Sequence, residues 1–148
     1  MKRKTVIILV GLPGSGKTTY IQKNYPEATV CSADHFFSTE TGEYKFDPTK
    51  LGQAHGASQN LCELSMKLGK QNIISDNTNL NNHDRKAYED LARKYGYHVQ
   101  YVIFQIKDLD LLAKRNAHNV PRFVYDRLIQ KMTVPDPKIH DVIFVSEK

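Results

Sequence analysis

The chain has 148 residues, with 21 lysines and arginines against 16 acids and a formal net charge of +5. That length suits one domain, residues 1–148, able to bury a core without staples, and the two cysteines, Cys31 and Cys62, exclude a disulfide framework and carry no metal-ligand spacing. No run approaches the roughly 18 apolar residues of a membrane helix, and the basic start Lys2-Arg3-Lys4 leads through Val6 to Val10 into a glycine loop rather than a cleavage site, so the reading is a cytoplasmic chain with free thiols, no signal peptide and no membrane partner.

Thr5 to Val10 is β-branched and unbroken by polar residues, which predicts a buried strand. Gly11 to Gly16 reads as a loop, and Lys17 to Asn24 as a short helix stopped near Pro26. Ala28 to Ser32 is a second, weaker strand. Residues 35–46 read as a long loop carrying Phe36, Phe37, Tyr44 and Phe46, with Gly42 at a tight turn. Asp47-Pro48 supplies an N-cap and a first-turn proline. The helix it opens is expected to bury Leu51, Ala54, Ser58, Leu61, Ser65 and Leu68, and to stop at Gly69.

Asn72 to Ser75 is a third strand. Asn81 or Asn82 caps the next helix, whose inward face is Ala87, Tyr88, Leu91, Ala92 and Tyr95, and Gly96 ends it. His98 to Ile106 is a fourth strand. Asp108 caps a helix through about Ala117; another starts near Pro121 and carries Val124, Leu128 and Met132. Pro135 and Pro137 break the chain before a last strand, Val142 to Val145. Strands alternating with helices imply right-handed crossovers: an α/β fold of three layers, with a mostly parallel sheet of about five strands and a helical lid. Ligands of such sheets bind beyond the carboxyl ends of the strands. Residues 11–18, Asp34 and residues 76–79 are therefore expected to meet.

Gly11-Leu12-Pro13-Gly14-Ser15-Gly16-Lys17-Thr18 matches the pattern Gly-x-x-x-x-Gly-Lys-Ser/Thr in full, between a strand and a helix. Its glycines permit backbone angles that turn successive N–H groups toward an anion, and the helix start adds to their field. Leu12 to Thr19 are thus expected to hold ATP: Lys17 as a cation on the outer phosphates, Thr18 as a ligand of Mg²⁺. Two carboxylates follow strands. Asp34 is placed to take the proton of an acceptor hydroxyl, or to cap a turn. Asp76 is placed to organise Mg²⁺, although Asp76-Asn77-Thr78-Asn79 is also good turn sequence.

The glycine loop, Ser32-Ala33-Asp34, Asp76-Asn77-Thr78-Asn79-Leu80 and Arg115-Asn116 occur in that order. Together, over roughly residues 5–132, they resemble the 5′-polynucleotide kinase family and its relatives, the kinase-like domains of ubiquitin-ligase-binding proteins and of the myelin cyclic-nucleotide phosphodiesterase. The resemblance implies that Asp34 is the general base for a 5′-hydroxyl. It makes Asp76 the acid that organises Mg²⁺ and the acceptor end, and Arg115 the first basic residue of a lid over ATP. His35, Asn77, Thr78 and Asn79 would then border the acceptor.

Two departures stand out. Phe37 lies where the phage-type enzymes carry an acceptor-gripping arginine. The stretch Ala117-His118-Asn119-Val120 lacks their second lid arginine, leaving Arg122 or His118 to complete the lid. The resemblance predicts a phosphotransferase acting on the 5′-OH of RNA or DNA. The alternatives are a small-metabolite or nucleoside kinase, and an ATP-binding or ATPase module with no acceptor. The basic surplus suits nucleic acid and equally suits any nucleotide site. The aromatic loop 35–46 is expected to cover the core rather than to stack bases. The six histidines show no metal spacing.

Overall fold

The strand from Thr5 to Val10, β1, lies at the centre of a five-stranded sheet because nothing in it tolerates water: Val6, Ile7, Ile8, Leu9 and Val10 are all buried. The computed structural model describes residues 3–38, 42–106, 108–115 and 120–146. The other strands are β2 (Thr29–Cys31), β3 (Asn72–Ser75), β4 (His98–Phe104) and β5 (Asp141–Val145). All pair in parallel, in the order β2-β3-β1-β4-β5. The helices are α1 (Lys17–Asn24), α2 (Asp34–Phe37), α3 (Leu51–Lys67), α4 (Asn82–Tyr95), α5 (Leu109–Arg115) and α6 (Arg122–Lys131).

The period-2 geometry of a strand sorts β1 between two cores. Val6, Ile8 and Val10 face Cys62 and Met66 of α3, Tyr88 and Ala92 of α4, Leu112 of α5 and Tyr125 of α6. Ile7 and Leu9 face the opposite way, with Ile74, Val102, Phe104 and Ile21 of α1. Each such aliphatic side chain contributes about 1.5–3 kcal/mol when taken from water, so both faces of the sheet must be covered, as the strand sequences require.

Most predicted boundaries hold, and α1 matches its expected span. Asp47 accepts a hydrogen bond from Thr49 N ahead of a 3-10 turn at Pro48–Lys50, Asn81 accepts from Asp84 N, and Gly96 is left-handed at φ 74°. Three expectations are corrected. The loop 35–46 is not all loop: Asp34–Phe37 is a helical turn, and Ser38 bridges to Tyr44. Helix α3 keeps Ala54, Ser58 and Ser65 of its expected stripe inward but not the leucines. It buries Ala54, Ser58, Cys62, Ser65 and Met66, leaving Leu51, Leu61 and Leu68 exposed. Small side chains let α3 lie close against β2, β3 and α4, so the leucines mark the wrong face. Strand β4 ends at Phe104 rather than Ile106. The predicted lid positions Asn116, Ala117, His118 and Asn119 lie outside the described residues.

Candidate active site

Parallel pairing brings the carboxyl ends of β1, β2 and β3 to one edge, and the polar segments that follow them meet there. Gly11 N donates to Thr78 O at 3.1 Å, and Asp76 N donates to Cys31 O at 2.9 Å, so the loop after β3 is stitched to the exits of both neighbours. Ala33 N, just before Asp34, donates to Asn77 Oδ1 at 2.8 Å. The expected meeting of residues 11–18, Asp34 and 76–79 is therefore built by backbone as well as side chains.

The glycines of the first loop are required by geometry. Gly14 and Gly16 have φ of 83° and 97°, a region L side chains avoid. A Cβ on Gly11 would come within 2.7 Å of Ser15 Oγ and 3.0 Å of Phe104 Cβ. Gly16 provides no side-chain cap for α1, and no acid occupies its first turn. The N–H groups of that turn are thus left for an external acceptor. Ser15 Oγ is buried with no hydrogen-bond partner among the described residues. A cradle of donors lacking an acceptor fits a polyphosphate.

Lys17 Nζ donates to Gly11 O at 2.8 Å, folded back along the loop it would serve. Burial pushes its ammonium down, and the carboxylates of Asp76 and Asp34 push it back up. Asp76 shows the converse: burial raises its carboxyl, Lys17 lowers it, and Asp34 raises it further. Three groups from three elements thus share one field. Of the oxygen donors there, the Asp76 carboxylate and the exposed Thr18 hydroxyl are of the kind a hard cation takes. His35, exposed on α2, adds a smaller favourable influence on Asp76. Tyr44 OH donates to Asp34 Oδ1 at 3.2 Å. Burial and the Asp34 carboxylate push that phenol up to about 12.

Asn77 and Asn79 turn inward, away from the acceptor contact expected of them. The Asn77 amide lies within hydrogen-bond reach of Ser58 Oγ, Ser75 Oγ and Tyr88 OH, at 3.1–3.4 Å. Asn79, at φ 47°, donates to Leu9 O at 2.9 Å and to Ser75 Oγ at 3.1 Å. Both side chains hold the β3 loop to the sheet. Arg115 ends α5 and is exposed. Arg122, the substitute lid cation, is engaged with Asp110 and Asp126, each at 3.1 Å.

Sequence reasoning missed Arg85 and Tyr125 and placed Ser58 and Tyr88 inward without their polar role. Arg85 is fully buried and donates to Asn79 O, Thr133 O, Thr133 Oγ1 and Asn82 Oδ1, at 2.8–3.0 Å. Ser58 and Tyr88 share a 2.7 Å hydrogen bond under Asn77. Tyr125 OH donates to Pro13 O at 2.9 Å, tying α6 to the phosphate loop. A signal existed for two of them. Arg85, Tyr88 and Ala92 fall at i, i+3 and i+7, and so do Tyr125, Leu128 and Met132.

A glycine loop on a central parallel strand, a lysine returned into it and acids just beyond the carboxyl ends of β3 and β2 define a P-loop kinase-like α/β fold. The chain belongs to the AAA domain family, which it matches over residues 6–135. Human NEDD4-binding protein 2 is 33% identical over 132 residues, covering 84% of this chain and 7% of that protein. The chain thus spans a small part of that relative. Among solved structures, a sugar kinase from Janibacter sp. is similar at a TM-score of 0.67 and 18% identity, over 97% of this chain and 85% of that one. A chain of the Pnkp1/Rnl/Hen1 RNA repair complex is similar at a TM-score of 0.65 and 17% identity, over 88% of this chain and 44% of that one. At those identities the likeness is one of fold. No helix among the described residues is long and apolar enough to cross a membrane.

Proposed function

We propose that residues 1–148 act as one kinase domain, moving the γ-phosphate of ATP to a hydroxyl, with the 5′-OH of RNA or DNA as acceptor. The observation that carries this reading is the convergence of Lys17 with Asp34 and Asp76, each carboxylate acting on the lysine from a different strand end. An ATPase needs the cradle and the metal-organising acid. A carboxylate on the far side, held by Tyr44 and carried on its own helical turn, suits deprotonation of an acceptor.

In this reading residues 12–19 hold the triphosphate through backbone N–H groups and the Lys17 ammonium. Thr18 and Asp76 fit Mg²⁺, which when bound neutralises phosphate charge. Lys17 leaves Gly11 O for the outer phosphates. Asp34 takes the acceptor proton as the hydroxyl oxygen bonds to the γ-phosphorus, and ADP departs with the electrons of the broken bond. Lys17 and Arg115 stabilise the charge that spreads over the transferring group. His35 and Thr78 border the acceptor, while Asn77 and Asn79 position the loop that carries Asp76.

Two substitutions separate these roles. D34N is expected to lower transfer by about 100-fold or more, the usual reach of a general base, with nucleotide affinity within about twofold of the parent. K17A is expected to lower affinity and transfer together. Equal loss of both in D34N, or no loss in K17A, contradicts the assignment; isothermal titration and a label-transfer rate supply the two readings.

A further inference from the structure

Beside Asp34 the chain forms an open groove of about 550 Å³, lined by Phe36, Phe37, Phe46, Lys45, Pro48 and Lys50 among others. The aromatic segment divides its labour. Phe37 is 5% exposed and packs with Ala33, Ala54 and Tyr44 as a small core. Phe36 and Phe46 are 41% and 52% exposed. Covering the core accounts for Phe37 and Tyr44 and leaves the other two rings unexplained.

Those rings are also held. Phe37 meets Phe36 at 5.4 Å and 90°, and Phe46 at 5.1 Å and 62°. Two solvent-reaching rings braced edge-to-face on a buried third lose little freedom when they bind a flat partner. Two lysines share the groove: Lys45, which lies 3.7 Å from Glu43, and Lys50. The groove's acid, Asp47, is committed to capping, with Thr49 N and Thr49 Oγ1 at 3.0 and 2.7 Å. The lining is aromatic, with two lysines against the one carboxylate of Asp47, a cationic surplus of one that suits a π-face joined to phosphates. Its position is set by α2, where Phe36 follows Asp34 by two residues.

We propose that this groove is a nucleobase subsite for the end of a single-stranded nucleic acid, Phe36 and Phe46 stacking the terminal base and Lys45 and Lys50 meeting the phosphates that follow. The inference rests on the reading of Asp34 as the acceptor-side base and narrows it. A base stacked on side chains in place of its helical neighbours is an unpaired one, so the subsite favours single-stranded ends over blunt duplex ends.

The test measures binding apart from transfer. Fluorescence anisotropy compares a 3′-labelled, 5′-hydroxyl single strand with the same strand abasic at its first nucleotide. The base-bearing strand is expected to bind the wild type about tenfold more tightly, the scale of one base–aromatic stack. F46A is expected to erase that difference, F36A to reduce it, and F46W to restore it. Equal binding of both strands by the wild type overturns the proposal. So does an F46A variant with unaltered melting temperature that still tells the strands apart. The abasic comparison needs no variant, so a folding defect cannot mask the answer. Base-dependent binding without label transfer from ATP would sink the kinase reading and leave the subsite standing; transfer with no base dependence would do the reverse.

Discussion

Tyr44 is the side chain whose role at the site is most sharply defined by its surroundings. Its hydroxyl reaches Asp34 Oδ1, and its proton is held by burial and by that carboxylate. An ordinary tyrosine ionises near 10. A phenol raised to about 12 remains a donor well past that pH. Removing the donor without removing the ring, as Y44F, is expected to slow transfer severalfold through misplacement of Asp34, with nucleotide affinity unchanged. The wild-type rate should show no alkaline loss near pH 10 from this group. An unaltered Y44F rate in the label-transfer assay would show that Tyr44 does not orient the base.

At this scale the glycine loop was legible, because it is local: eight consecutive residues carry its backbone angles, cation and hydroxyl. The support beneath it was not. Tyr125 and Pro13 are 112 residues apart in sequence, and no spacing rule joins them. The resemblance implies that Asn77 and Asn79 border the acceptor, and only the packed neighbours Ser58, Tyr88 and Leu9 show their amides facing inward.

Among the elements, α4 does more than cover β1 and β4. It carries Arg85 into the core, where the guanidinium gathers the β3 loop at Asn79 and the segment at Thr133 into one polar knot. Burial pushes that guanidinium down from its ordinary value, opposed by Glu89, so the group is retained by its hydrogen bonds. Replacing it with an apolar side chain of similar length, R85M, strands those acceptors. The expected loss is about 3 kcal/mol, the lower end for breaking a buried charged cluster. Urea unfolding measures it, and a loss below about 1 kcal/mol would mean the knot is replaceable.

The helix also marks a limit of periodicity. An arginine on an amphipathic helix reads as solvated, yet its i+3 and i+7 partners, Tyr88 and Ala92, are core. In α3 the expected stripe holds for Ala54, Ser58 and Ser65, which are buried, and fails for its leucines: Leu51, Leu61 and Leu68 are 41%, 39% and 66% exposed, and Cys62 and Met66 pack inward instead. Caps and stops were legible for the opposite reason: Asp47, Asn81 and Gly96 satisfy local backbone needs that no tertiary contact overrides.

For the molecule as a whole, alternation of strand and helix sufficed to predict a parallel sheet with a site at its carboxyl edge. The order β2-β3-β1-β4-β5 was not readable, since pairing depends on which faces close over β1. That order gives the site its halves. Strand β1, flanked by β3, carries the phosphate loop with Asp76 next to it, and β2, one strand further out, carries Asp34 and the aromatic groove. In the proposed reading, donor and acceptor groups are thus held by one sheet edge, and that division predicts a reaction rather than a binding event alone.

The most direct test supplies γ-labelled ATP and Mg²⁺ with a panel of acceptors: a 5′-hydroxyl single-stranded oligonucleotide, its 5′-phosphorylated counterpart, free nucleosides and simple sugars. Label in the 5′-hydroxyl strand, absent from the phosphorylated strand and lost on chelation of Mg²⁺, is the predicted result. Label appearing only in a nucleoside or sugar, or only as free phosphate whatever acceptor is present, would contradict it.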